Sequence, residues 1–310
     1  TDERMPETLV RFSWDLELVD YDNDWDLDVL VSCKRCPGGS LFVNDGEGRF
    51  EEDPRALPQY TNNYDYEAMD LDGDGYLDLV TINDGEILGP DSWSRREHLF
   101  RNDAGRGFVD ATLAWWPDIA NLGEDDNNIA FLDYDNDGDA DFLIASLTGP
   151  DRLLINDGRA SFSVATRVFS GPETAGTLSL VLADLDGDHR LDVVQGQGEN
   201  PEAVSERIFL GLGLDPDSAP PVIARTEALK SEAGLSVRAR VHDRKSPPAA
   251  HDFQAVEVRW DGPQAGREPM AWYGEYLWRA DLEGPSLTSL RVCAIDAAGN
   301  EACAPVPVAE

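Results

Sequence analysis

Asp133-Tyr134-Asp135-Asn136-Asp137-Gly138-Asp139-Ala140-Asp141 carries carboxylates at positions one, three, five and nine of a nine-residue stretch, with glycine at six. A hard dication such as calcium takes about six to eight oxygen ligands at roughly 2.3–2.6 Å. Asp133, Asp135 and Asp137 can converge on one point if the chain curls tightly around it. Gly138 permits the curl, because glycine takes positive φ at little cost. The backbone carbonyl of Asp139 then faces inward, and Asp141 closes the site with both oxygens. Without a cation, carboxylates this close would only repel one another.

The stretch recurs three more times in the same phase. Asp70-Leu71-Asp72-Gly73-Asp74-Gly75-Tyr76-Leu77-Asp78 is a second regular copy. Asp184-Leu185-Asp186-Gly187-Asp188-His189-Arg190-Leu191-Asp192 has His189 at position six, and Asp20-Tyr21-Asp22-Asn23-Asp24-Trp25-Asp26-Leu27-Asp28 has Trp25 there. A bulky residue in the left-handed region is strained, so these two loops are expected to be weaker or reshaped. The closing aspartate stands at position nine, whereas an EF-hand closes with glutamate at twelve and is flanked by helices. Here each loop runs into a strand-like segment. An acidic surface turn would account for one copy but not for four in phase, so the loops are read as calcium sites for up to four ions.

Copies start every fifty to sixty residues or so, the spacing of propeller blades. An apolar run enters each loop, such as Ile129-Ala130-Phe131-Leu132, and a β-branched run leaves it, such as Leu77-Asp78-Leu79-Val80-Thr81; both read as strands. A third strand ends in a turn, as in Leu41-Phe42-Val43-Asn44-Asp45-Gly46 and Leu153-Leu154-Ile155-Asn156-Asp157-Gly158. Such turns supply the positive φ of a tight hairpin. A short fourth strand carries Phe50, Phe108 or Phe162. Each unit reads as a four-stranded antiparallel blade with its metal loop between the first two strands.

Loop and hairpin together resemble FG-GAP/VCBS repeats, the blades of the integrin α-subunit propeller and its bacterial relatives, over roughly residues 8–215. In that family the side chains at positions one, three, five and nine and the carbonyl at seven bind calcium. The resemblance therefore implies carbonyl ligands from Asp26, Tyr76, Asp139 and Arg190. This chain departs from the family at Trp25 and His189, and it lacks clear Phe-Gly and Gly-Ala-Pro signatures. Family propellers usually have seven blades, whereas four repeats are visible here. Open sheet ends expose strand edges, which leaves a closed four-bladed ring, a fragment of a longer propeller, or closure through another chain. The compact four-bladed ring is the expectation.

The grammar changes at Asp215-Pro216-Asp217-Ser218-Ala219-Pro220-Pro221, a linker signal. Residues 1–217 are read as the calcium-binding propeller and 218–310 as an Ig-like β-sandwich. In the latter, Val237, Ala239 and Val241 alternate with Arg238 and Arg240, one face dry and one wet. The hairpin around Gly299-Asn300 resembles the closing hairpin of bacterial Ig-like modules, and Cys293 and Cys303 would lie across it. Cys33 and Cys36 are read as a small disulfide pinning a turn rather than a redox motif or half a zinc site.

A net charge of −36 over 310 residues disfavours nucleic acid and anionic membranes. No apolar run reaches the ~20 residues of a membrane span. Paired cysteines with a calcium-rich design point to an oxidising compartment, hence a secreted or cell-surface protein, and the start at Thr1 reads as a mature or trimmed form. His98, His189, His242 and His251 are scattered, and no nucleophile elbow, zinc-protease or phosphate-loop motif appears. The expectation is therefore an adhesion or interaction module that recognises a protein or glycan, without catalysis. Self-association is expected if the propeller is incomplete. The rivals are the propeller portion of a secreted polysaccharide-active enzyme, favoured by a cleft with free carboxylates and platforms from Trp93, Trp115 and Trp116, and a calcium-rigidified spacer. The loop Gly85–Arg96 and Ala114-Trp115-Trp116-Pro117-Asp118 are either binding loops or core plugs.

Overall fold

A computed structural model describes residues 4–7, 12–85, 96–116, 121, 123–165, 168–169, 176–198, 205–231, 234–283 and 288–307. Trp93, most of the Gly85–Arg96 loop and residues 117–118 lie outside these. The chain is all-β and divides into two units, one of residues 1–134 and 139–214, the other of 135–138 and 215–310.

The first unit holds four antiparallel sheets, each laid down in chain order. The first contains β1 (Ser13–Val19), β2 (Asp28–Cys33), β3 (Ser40–Asn44) and β4 (Phe50–Asp53). The second contains β5 (Asn63–Met69), β6 (Asp78–Asn83), β7 (His98–Asn102) and β8 (Phe108–Asp110), followed by the single helical turn α1 (Thr112–Trp115). In the third, β9 (Asp126–Leu132), β10 (Asp141–Ser146), β11 (Arg152–Ile155) and β12 (Ser163–Val164) form the same meander. The fourth has three strands among the described residues, β13 (Thr177–Ala183), β14 (Asp192–Gln197) and β15 (Arg207–Phe209). Every acidic loop joins the first and second strands of its sheet, as its flanking apolar runs predict.

Successive sheets pack through their first strands, β1 on β5, β5 on β9 and β9 on β13. The third and fourth sheets share a core of Ala130, Leu132, Leu143, Ala145 and Leu153 against Leu180 and Leu182. Burying a leucine side chain this fully is worth about 1.5–3 kcal/mol. The interior also holds charge: Arg152 is ion-paired with Asp126, lies 3.5 Å from Glu97 and stacks over the Trp116 ring. All three groups are buried, so removing any one would leave its partners uncompensated. Burial, with Asp126 beside it, pushes the Glu97 carboxyl well up. Among the described residues β1 and β13 make no comparable packing, so these residues show no contact that closes the expected four-bladed ring.

The second unit is a two-sheet sandwich. One sheet has the order β16 (Val222–Ser231), β17 (Gly234–His242), β21 (Leu277–Leu282), β20 (Ala271–Gly274). The other runs β19 (Gly266–Pro269), β18 (Phe253–Asp261), β22 (Ser289–Asp296), β23 (Glu301–Pro305). Val237, Ala239 and Val241 of one sheet and Val256, Val258 and Val292 of the other share one core, as the alternation predicts, but Arg240, expected on the wet face, is fully buried. β20 and β21 are joined by a tight turn in which Glu275 takes φ +45°. Cys293 and Cys303 face each other across β22 and β23 and are disulfide-bonded, as are Cys33 and Cys36. Asp135–Gly138 belongs to this unit because Asn136 exchanges hydrogen bonds with Ser218 and the Gly138 carbonyl accepts from Arg244 Nε at 2.6 Å.

Candidate metal centres

All four loops use one backbone design. Position six takes positive φ in each, at Trp25 (+76°), Gly75 (+88°), Gly138 (+96°) and His189 (+62°). Trp25 and His189 therefore do not reshape their loops, contrary to the expectation. Trp25 offsets its strain by burying its ring, whereas His189 is exposed. Position four is also left-handed throughout, at Asn23, Gly73, Asn136 and Gly187. These are the residue types that tolerate αL, a regularity visible in the sequence but not used there.

The position-one carboxylate accepts the position-six amide in the first, second and fourth loops: Trp25 N to Asp20 (3.3 Å), Gly75 N to Asp70 (2.9 Å) and His189 N to Asp184 (3.0 Å). Position five accepts the amide of position seven, from Asp26, Tyr76 and Arg190, at 2.9–3.1 Å. Those bonds aim side chains and chain inward around a common centre.

Position nine works differently from a simple ligand. Asp28, Asp78, Asp141 and Asp192 are all buried. In each, one oxygen accepts the position-two amide: Tyr21, Leu71, Tyr134 and Leu185, at 2.8–3.1 Å. The other accepts a backbone amide from the third strand or its end: Asn44, Asn102, Asn156 and Gly211, at 2.7–2.8 Å. The closing aspartate staples loop to hairpin with both oxygens, and only its remaining lone pairs are left for a cation.

The hairpin asparagines, not singled out from the sequence, extend the staple between blades. Asn102 Nδ2 donates to Leu77 O in its own loop and to Tyr21 O in the preceding one, at 3.1 and 2.9 Å. Asn156 Nδ2 repeats this with Ala140 O and Leu71 O, both at 3.2 Å. The recurring Asn-Asp dipeptide was the available signal. Gly105 completes the second hairpin against the first loop, where a Cβ would come within 2.9 Å of Asp22 Cα.

Carboxylate oxygens converge within 4.8 Å of one another in every loop: Asp20, Asp22 and Asp24; Asp70, Asp72 and Asp78; Asp133, Asp135 and Asp141; Asp184, Asp186 and Asp192. Asp22 Oδ1 and Asp70 Oδ1 are buried without a hydrogen-bond partner. A buried carboxylate oxygen left this way is costly, and a dication is what an all-oxygen, polyanionic donor set accommodates. The residues therefore fit calcium. Of the remaining expected ligands, Asp74 and Asp137 stand at position five, and the carbonyls of Asp26, Tyr76, Asp139 and Arg190 stand at position seven. Asp188 is diverted, since Arg190 Nη1 pairs with it at 2.6 Å. That contact neutralises one carboxylate of the fourth loop.

Electrostatics agree with a missing positive charge. Burial pushes Asp28 up to about 7, Asp70 to about 6 and Asp78 to about 8, with the neighbouring loop aspartates adding to the shift. Burial and the adjacent aspartate also raise Asp22, Asp72 and Asp135. Asp184 runs the other way: burial raises it, but the amides of His189, Gly187 and Asp188 outweigh this and hold it low.

Among the described residues, Trp115 and Trp116 build no aromatic platform. Trp116 is fully buried, edge-on to Phe142, and Trp115 is half-buried. Trp116 is a core plug.

No curated protein matches the chain. One solved structure, described as a candidate exo-β-1,3-galactanase from Bifidobacterium bifidum S17, aligns over 97% of this chain and 90% of its own at 10% identity and a TM-score of 0.39. A superposition that loose carries no argument about this chain. The FG-GAP-like repeat family model matches residues 20–81 and 133–194, segments that begin at the first and third acidic loops, run through the second and fourth, and end in the strands β6 and β14 that leave them. Within residues 20–81 and 133–194 the acidic loops therefore lie in segments that match FG-GAP-like repeats and stand on antiparallel sheets.

Proposed function

We propose that the four acidic loops hold calcium and that the blades they brace form an extracellular adhesion or interaction module recognising a protein or a glycan. The observation that carries the calcium reading is the pair of buried, partnerless oxygens on Asp22 and Asp70 inside converging carboxylate clusters. Calcium would supply charge neutralisation and oxygen coordination where the chain offers only anions. Asp20, Asp22, Asp24 and Asp28 would form the first site with the Asp26 carbonyl; equivalent residues would form the others. The fourth would be the weakest, because Arg190 already occupies Asp188.

The role assigned to the metal is structural. Each loop joins the first two strands of its sheet, and Asn102 and Asn156 tie the second and third blades to the loop of the blade before, so ion binding would stabilise the packing of blades. The carboxylates are stapled to backbone amides, which suits them poorly to proton transfer, and the reading is non-catalytic. Two disulfides support an oxidising, extracellular setting, and among the described residues no helix is long and apolar enough to cross a membrane. The second unit is read as an Ig-like sandwich. A thermal melt of chelator-stripped protein tests the proposal: calcium should raise the midpoint and magnesium should not replace it. An unchanged midpoint at millimolar calcium would remove it.

A further inference from the structure

Aligned on their loops, the first strands of the four blades expose a consistent difference. The residues four and two positions before the loop face the preceding blade. In β5 these are Tyr66 and Ala68, in β9 Ile129 and Phe131, in β13 Leu180 and Leu182, and all six are at most 5% exposed. In β1 the same positions are Leu16 and Leu18, which are 64% and 39% exposed. The opposite face shows the converse at the other end. Ala130, three before its loop, is covered by the fourth blade, whereas Val181 at that position of β13 is 54% exposed. Its cross-strand neighbours Val194 and Ile208 continue the same row, with Ile208 61% exposed.

The two uncovered faces are thus the two halves of one interface that the unit already builds three times. The hydrogen bonds repeat the pattern. Asn102 and Asn156 each reach the position-two carbonyl of the preceding blade, and Asn44, their counterpart in the first blade, donates to Leu27 O in its own loop at 3.1 Å. The position-two carbonyl that would complete its set belongs to a fourth-blade loop, at Leu185.

We propose that two copies of this chain associate head to tail, the Leu16/Leu18 face of each packing on the Val181/Ile208 face of the other, to close one eight-bladed ring. A heterologous contact of this kind closes into a ring when the rotation permits and otherwise grows into a filament. Eight blades lie within the range that propellers adopt. Closure covers both apolar faces with the residues that cover their equivalents elsewhere in the unit. It also gives Asn44 Nδ2 the Leu185 carbonyl of the partner copy. Nothing in this pairing depends on calcium being the bound ion, although the net charge of −36 makes association stronger at moderate salt.

Sedimentation equilibrium or light scattering on the full chain, in calcium and about 0.15 M salt, tests this. The expected mass is twice the 34.1 kDa of one chain. Leu16→Glu and Val181→Glu should each give a single-chain mass, with melting midpoints checked to confirm folding. Mixing these two variants should restore a two-chain species, since each retains the face the other has lost. A wild-type mass of one chain at tens of micromolar would overturn the proposal, as would an open-ended polymer. A two-chain mass that survives both substitutions would overturn it too, because the contact would then lie elsewhere.

Discussion

Replacing Asp78 by alanine separates the two jobs a loop carboxylate can have. Asp78 is buried and accepts the amides of Leu71 at 3.1 Å and Asn102 at 2.8 Å. Its loss leaves two buried N–H groups without partners, at about 1–3 kcal/mol each, so roughly 2–6 kcal/mol in all. For a unit of this size, 2 kcal/mol alone lowers the melting midpoint by about 4–8 °C. This cost needs no metal and should appear in chelator. Asp72 is the contrasting position: half-buried, pushed up by burial and by Asp74, and bonded only to the Asp74 amide at 3.2 Å. Asp72→Ala should leave the chelated protein within about 0.5 kcal/mol of wild type. In calcium at a hundredfold excess over the dissociation constant it should forfeit up to about 2.7 kcal/mol. Melts of both variants followed by circular dichroism, with chelator and with calcium, decide the matter. If Asp78→Ala melts with wild type in chelator, the staple is not what holds the loop. If Asp72→Ala is lowered equally in both conditions, the side chain is structural and not a ligand.

The raised carboxyls set a pH dependence with a definite sign. Asp28, Asp70 and Asp78 hold protons in the metal-free fold up to about 7, 6 and 8, whereas the unfolded chain gives them up near 4. The folded state binds more protons between those limits, so the midpoint in chelator should fall as pH rises from about 5 to 8. Calcium should flatten that slope, and a chelated midpoint that rises instead would contradict it. At position six, His189→Gly should stabilise by about 1 kcal/mol by relieving a left-handed side chain, while Trp25→Gly should destabilise by about 3 kcal/mol or more through loss of a buried ring; urea midpoints report both. Arg152→Met should cost about 3–5 kcal/mol, since Asp126 and Glu97 would be left buried without their cation. A triple replacement that also neutralises both acids should recover much of that loss.

Period and alternation carried the architecture. The four-fold spacing of the loops, the apolar runs around them and the hairpin turns located the strands of the first three blades, with β12 starting one residue after Phe162, and the loop-flanking pair of the fourth, because those signals are local and each blade repeats them. The inward row Val237, Ala239 and Val241 was likewise legible. What the sequence did not show was long-range. Position nine looks like a ligand by spacing, and only the fold reveals the two amides that occupy Asp28, Asp78, Asp141 and Asp192. The asparagines of the hairpins look like turn residues, yet Asn102 and Asn156 reach a neighbouring blade far away in sequence. Trp25 was expected to distort its loop because its φ is costly in isolation; burial of the ring offsets that cost, which no local rule registers. Ring closure was inferred from the need to avoid open edges. Among the described residues, the exposure of Leu16, Leu18 and Val181 shows both outer faces uncovered.

The central claim is that these loops are calcium sites. Native mass spectrometry of the chelator-stripped chain, titrated with calcium, counts them directly. The account predicts saturable uptake of up to four ions per chain, with Asp70→Ala and Asp133→Ala each removing one and the fourth loop filling last. A chain that takes up no calcium, or whose uptake is unchanged by both substitutions, would contradict it.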